Sequence, residues 1–195
     1  MAVSEKHKIL FIHIPKNAGT SLINKLSLKP HGHYDWRTHP HFNEPYHKFT
    51  IVRNPWDRVV SSYEFAKMDK SYWHSKDDNT KHPDYDLCNS LTFKQCVKLL
   101  KESPERFIHP GWKSQYPYIV NDEYMVMVDS VLKMENLNEE LTHLFKKLKI
   151  GMIPNIPKSN TSTRGHYKDY YDKESISIVK EIYVKDITLF NYVFE

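Results

Sequence analysis

The spacing of apolar residues changes character several times along the chain, and each change predicts an element. Ile9–Ile12 is a continuous apolar run bounded by polar residues, the pattern of a strand buried on both faces, as parallel sheets require. An abrupt Pro-Lys-Asn-Ala-Gly-Thr-Ser turn follows, and Leu22, Ile23 and Leu26 then recur at helical spacing ahead of Pro30. Residues 31–46 are rich in His and Pro and weakly patterned, whereas Phe49, Ile51 and Val52 form a second strand-like run that ends at Arg53. After it, Asn54 can cap a helix, Pro55 suits the first helical position, and Trp56, Val59, Val60 and Tyr63 make one apolar stripe.

Residues 69–90 are polar and without periodicity, which predicts a long surface loop of the kind that contributes to acceptor sites. Phe93, Cys96, Val97 and Leu100 mark a third helix; residues 124–128 with Val131 and Leu132 predict another strand; Leu137, Leu141, Leu144, Phe145 and Leu148 mark a further helix. Prolines and hydroxyls fill residues 153–172, and Ile176, Val179, Tyr183, Ile187 and Phe190 then run at helical intervals to the end. Strands alternating with helices predict an α/β fold, a central and mostly parallel sheet with helices on both faces and a ligand at the C-terminal ends of the strands. A length of 195 residues fits a single domain, 1–195.

Composition narrows the function classes. An apolar share of 39%, with 27% charged residues and only 5 glycines, argues for a folded globular chain. The balance of 28 Lys and Arg against 24 Asp and Glu gives +4, which suits an anionic ligand but lacks the dense basic runs of a nucleic-acid binder. No nucleic-acid partner is expected. Two cysteines, Cys88 and Cys96, build neither a disulfide framework nor a zinc knuckle, so free thiols in a reducing compartment are expected. The opening residues 1–8 are polar and lead into a run too short for a signal sequence or membrane span, which predicts a soluble, cytoplasmic chain without a membrane partner. Oligomeric state is left open.

The strand, PKNAGTS loop and helix place several backbone N–H groups, one Lys and two hydroxyls around the positive end of a helix, an anion cradle. The loop is not a Walker pattern: Gly19 is its only glycine, Lys16 precedes it, and no Gly-Lys-Ser/Thr step follows to hold magnesium. No metal is expected, and a metal-dependent kinase is disfavoured. Alone, the loop also reads as a plain strand-to-helix connection with an exposed Lys. A second motif, FTIVRNPWDRVVSSY, puts Arg53 at the end of a strand and Ser61 two turns along the next helix, a guanidinium and a hydroxyl able to share a phosphate. Trp56 and Tyr63 read as core residues.

Taken together, PKNAGTS followed by RNPWDRVVSSY resembles the paired donor-binding motifs of sulfotransferases that use 3′-phosphoadenosine 5′-phosphosulfate (PAPS), specifically the membrane-associated carbohydrate sulfotransferases and their soluble relatives. The resemblance continues through HPGWKSQYPYI, VDSVLKMENLNEEL and the C-terminal NTSTRGHYKDYYDKESISIVKEIYVKDITLFNYVF, and so covers most of the chain. It implies a P-loop-like sulfotransferase domain. It also implies that Lys16, Asn17, Ala18, Gly19, Thr20 and Ser21 bind the 5′-phosphosulfate, that Arg53 and Ser61 bind the 3′-phosphate, and that Arg164 closes over that phosphate; the product is PAP. Read by itself, Arg164 can equally be a surface Arg paired with Asp169 or Asp172. Asn17 stands where the family often has Thr, and no membrane anchor precedes these motifs, which departs from Golgi residence.

Sulfuryl transfer demands in-line positioning and stabilisation of charge on the leaving oxygen, a role for Lys16. The acceptor, a small molecule or carbohydrate, loses a hydroxyl proton as it attacks, and a base with a near-neutral pKa contributes ~10²–10⁴-fold. His31, His33, His39 and His41 lie between the two phosphate motifs; the Gly32-His33 step resembles the place of an acceptor-side histidine in related carbohydrate sulfotransferases, which selects His33 as the base. The other reading of each is a surface histidine, and the two His-x-His pairs also admit a metal site, though no Cys or placed carboxylate accompanies them. His109, Trp112 and Gln115 can meet a nucleotide or sugar, or Trp112 can simply pack. Asn160-Thr161-Ser162 is a formal glycosylation acceptor that matters only in a secreted chain. Two rival classes stand beside this reading: a nucleotide-binding module that keeps the phosphate cradle and binds PAP without turnover, and a small-molecule kinase, which would need magnesium and the Gly-Lys-Ser/Thr step that this sequence lacks.

Overall fold

The computed structural model describes residues 2–29, 32–69, 81–151, 156 and 164–195. The chain divides into two compact units, residues 1–53 with 115–160 and residues 54–114 with 161–195.

The first unit is built on a four-stranded sheet in the order β1 (Val3–Ser4), β2 (Ile9–Ile12), β3 (His47–Val52), β4 (Ser130–Lys133). β1 pairs antiparallel with β2, while β2, β3 and β4 run parallel, with Phe11 opposite Phe49 and Ile51 opposite Leu132. The fold is α/β with a mostly parallel sheet. All four residues of β2 are buried, as a strand covered on both faces must be. Ile9, Phe11, Phe49, Ile51 and Leu132 point to one face and form a continuous core with Leu22 and Ile23 of α1 (Gly19–Lys25) and Leu141, Leu144 and Phe145 of α5 (Leu137–Lys147). Within this unit α1 and α5 share one face of the sheet.

The second unit contains α2 (Pro55–Ala66), α3 (Tyr85–Ser90), α4 (Phe93–Glu102), α6 (Lys173–Ile182) and α7 (Val184–Leu189). Its core is aromatic. Trp56 and Tyr63 are buried; Trp56 Nε1 donates to the carbonyl of Ile176 at 3.1 Å, and Tyr171 Oη donates to the carbonyl of Trp56 at 2.9 Å. Asp84, fully buried, accepts from the backbone N–H groups of Ile108 and His109 and from Trp112 Nε1 at 2.8, 3.1 and 2.9 Å, so Trp112 belongs to the packing. Cys88 and Cys96 are free and buried, and the Cys96 thiol is pushed far up by its hydrogen bond to Cys88 and by desolvation, so it stays protonated.

Three expected elements are corrected. The strand forecast over residues 124–128 begins only at Ser130: the Asn121 carboxamide oxygen accepts from the N–H groups of Glu123 and Met125, Tyr124 adopts φ 61°, and the segment folds back so that Val126 bridges only Val120. The forecast loop 69–90 ends in helix α3, and residues 70–80 lie outside the described residues. The closing helix breaks at Tyr183, whose φ −109°, ψ 26° leaves the helical range while its buried Oη donates to the carbonyl of Trp112 at 2.6 Å.

α2, which carries Ser61, starts where the sequence places its cap: Asn54 Oδ1 accepts from the Trp56 N–H at 3.0 Å, with Pro55 at the first position. Asn54 Nδ2 also donates to the carbonyl of Val193 at 3.0 Å. Asn54→Ala therefore removes a cap and a tertiary bond together, and urea unfolding should show a loss of about 2 kcal/mol; a loss under a few tenths would mean that α2 does not depend on its cap.

Candidate functional site

In the first unit the chain leaves β2 through His13, Ile14 and Pro15 and enters the Lys16 to Ser21 loop. Lys16 (φ 70°) and Ala18 (φ 57°, ψ 13°) are left-handed without being glycine, a conformation that costs roughly 1–2 kcal/mol per residue and must be held from outside. Asn17, between them, is fully buried; its Nδ2 donates to the carbonyl of Ile51 at 2.7 Å and to Gln115 Oε1 at 2.8 Å. Arg53, just past β3 and buried, donates from Nη1 to the carbonyl of Lys16 at 3.0 Å. Gln115 closes the set: its Oε1 also accepts from the Arg53 N–H at 2.9 Å and its Nε2 donates to the Arg53 carbonyl at 2.9 Å.

Left-handed residues alternating with ordinary ones can turn successive backbone N–H groups toward one side, and Ala18 brings no side-chain acceptor to the first turn of α1. Such a loop suits an oxyanion. Asn17 contributes to it as a brace, its side chain committed to Ile51 and Gln115. Thr20 is exposed and Lys16 and Ser21 are half-buried. Gly19 has no positive φ; its necessity is spatial, because a Cβ there would stand 2.0 Å from Cδ2 and Nε2 of His13.

His13 was not singled out by any motif. Its one mark in the sequence is that it continues the odd-numbered face of Ile9 and Phe11, and its ring stacks on Phe11 at 5.6 Å. Desolvation first, and the neighbouring His33 second, lower its pKa to about 3. His33 is exposed, its ring centroid lies 4.4 Å from that of His13, and its Nδ1 is 3.0 Å from the His13 carbonyl oxygen. His39 is buried in a local turn, where its Nδ1 accepts from the His41 N–H at 3.2 Å. His31 lies outside the described residues. Among the described residues no group of three or more His, Cys, Asp or Glu is placed to hold a metal ion.

In the second unit, Ser61 is half-buried on α2. Arg164 pairs through Nη2 with Asp57 Oδ1 at 2.5 Å, both side chains largely buried, so its ionic partner comes from the first turn of α2 and is neither Asp169 nor Asp172. Asp172 instead caps α6 through the Ser175 N–H and pairs with Lys94. Residues 160–162 lie outside the described residues.

A family model described as the sulfotransferase family matches residues 1–193. The chain belongs to the sulfotransferase family. The match runs across both units, and the chemistry it carries is sulfuryl transfer. No match was found among curated proteins or among solved structures. Among the described residues of this sulfotransferase no helix is long and apolar enough to cross a membrane.

Two measurements probe the first unit's residues. Gln115→Leu keeps the volume but strips partners from the Asn17 amide and from the Arg53 N–H and C=O; urea titration should show a loss of about 2–4 kcal/mol, and an unchanged midpoint would mean the brace is not needed for stability. For His13, the unfolded chain takes up a proton near pH 6.5 whereas the native ring does so only near pH 3. Its contribution is fully present above pH 6.5 and is lost as pH falls toward 3, about 2 kcal/mol between pH 7 and 5. His13→Gln should lose correspondingly less stability than wild type over that interval; parallel pH curves would show that the ring titrates normally.

Proposed function

We propose that this chain is a PAPS-dependent sulfotransferase that sulfates a hydroxyl of a carbohydrate, with residues 1–195 acting as one catalytic domain. The observation that carries the reading is the loop held open by Asn17, Arg53 and Gln115, whose N–H groups and Lys16 fit a phosphate. The family match supports the sulfuryl chemistry; the carbohydrate acceptor rests on the motif resemblance. Free, buried thiols accord with a cytoplasmic, reducing setting.

In this reading Lys16, Asn17, Ala18, Gly19, Thr20 and Ser21 take the 5′-phosphosulfate through backbone N–H groups, hydroxyls and the Lys16 ammonium. The motif resemblance assigns Arg53, Ser61 and Arg164 to the 3′-phosphate. PAPS supplies a sulfuryl group on a phosphate leaving group. Lys16 and the loop N–H groups stabilise the charge gathering on that phosphate. His33 takes the proton of the acceptor hydroxyl. A carbonyl oxygen can only accept, so the contact with His13 puts hydrogen on Nδ1 of His33 and leaves the lone pair of the neutral ring on Nε2. A lone pair of the hydroxyl oxygen would form the new O–S bond, the old S–O pair would leave with the phosphate of PAP, and the O–H pair would stay on the oxygen as its proton passes to His33. No residue in this scheme requires a metal.

Calorimetric titration with PAP, AMP and ATP·Mg, with and without chelator, tests the donor class: PAP should bind far more tightly than either rival and without metal. Preference for ATP·Mg would revive a kinase, and PAP binding without transfer to any hydroxyl would leave a non-catalytic module. Arg53→Ala should weaken PAP by about 10- to 100-fold. Because Arg53 also holds the Lys16 carbonyl, AMP should weaken too, but less; an equal loss for both ligands would remove Arg53 from the 3′-phosphate.

A further inference from the structure

An exposed imidazole on a segment without regular structure has little to fix its rotamer or its tautomer, and both matter for a base. His13 gives His33 two restraints. The carbonyl oxygen of His13 receives Nδ1–H of His33 at 3.0 Å, and the two rings meet at 4.4 Å with a tilt of 57°. His13 is itself confined. One side of its ring stacks on Phe11 at an interplanar angle of 24°, and Phe11 is buried in the sheet core beside Phe49. Gly19, at the end of the loop, approaches the ring so closely that a single methyl at its Cα would overlap Cδ2 and Nε2. Sheet, loop and His33 therefore meet on one side chain.

We propose that His13 is a positioning residue for sulfuryl transfer, holding His33 in the Nδ1–H tautomer at a fixed place beside the donor loop. The proposal rests on His33 being the base. His13 acts through shape and carbonyl placement, not as a second proton carrier, since desolvation keeps it neutral through the working pH range. Free histidine in water favours the Nε2–H tautomer, so the arrangement has a spectroscopic signature. A protonated His33 would also lie against an uncharged ring, which spares it the repulsion that a second imidazolium at this distance would impose.

Nitrogen-15 NMR of the wild-type protein at neutral pH reads the tautomer of His33 directly, and transfer from labelled PAPS to a p-nitrophenyl glycoside reads turnover. The expected result is Nδ1–H for His33 in wild type, movement toward Nε2–H in His13→Ala, and a fall in kcat of about 10- to 100-fold. Donor KM and PAP affinity should stay within about threefold. His13→Phe, a flat ring without a titratable nitrogen, should restore most of kcat. An Nε2–H His33 in wild type would overturn the proposal without recourse to any variant, so a poorly folding His13→Ala does not leave it undecided. Unchanged kcat in His13→Ala would overturn it as well, as would equal inactivity of the Ala and Phe variants with the His33 tautomer retained. Failure of the base reading shows separately, as wild-type turnover in His33→Ala.

Discussion

The side-chain amide of Gln115, wholly out of water, hydrogen-bonds both backbone groups of Arg53 and the amide of Asn17. It behaves as one extra residue of sheet laid across the end of β3. Arg53 can then reach the Lys16 carbonyl, and Asn17 can hold the turn between two strained neighbours. A buried amide with its partners in place rigidifies; one missing a partner costs more than the bond was worth. The loop's shape follows from this arrangement, since neither Lys16 nor Ala18 would choose a left-handed backbone unaided.

Much of the scaffold was legible because burial imposes periods. The fully apolar run of β2, the stripe on α2 and the Asn54-Pro55 start signal all depend on neighbours within one or two turns. Where a particular side-chain hydrogen bond, near or distant, decided the outcome, the apolar pattern failed. Residues 124–128 have strand composition, yet the Asn121 side chain turns them back before they can pair. The break at Tyr183 depends on a hydroxyl that finds the Trp112 carbonyl 71 residues away.

The site divides along the same line. The loop from Lys16 to Ser21 and Arg53 were marked by residue type next to a strand end, which is a local property. The role of Asn17 as a brace, the pairing of Arg164 with Asp57 and the place of His13 under Gly19 are properties of contacts between segments. Gln115 read as a residue able to meet a nucleotide or sugar, and a carboxamide offers the same donors and acceptors to a ligand as to a loop. Geometry alone separates the two uses.

The separation of Gln115 from its partners in the chain has a consequence for biosynthesis. Asn17 and Arg53 leave the ribosome before the amide that fixes them, which follows 98 and 62 residues later, after the whole stretch 54–114. Until then β2 and β3 can pair while the turn between β2 and α1 remains unset. A nascent chain halted short of residue 115 would carry the motif in its sequence without its shape, so the loop takes its form well after the residues that define it have been made.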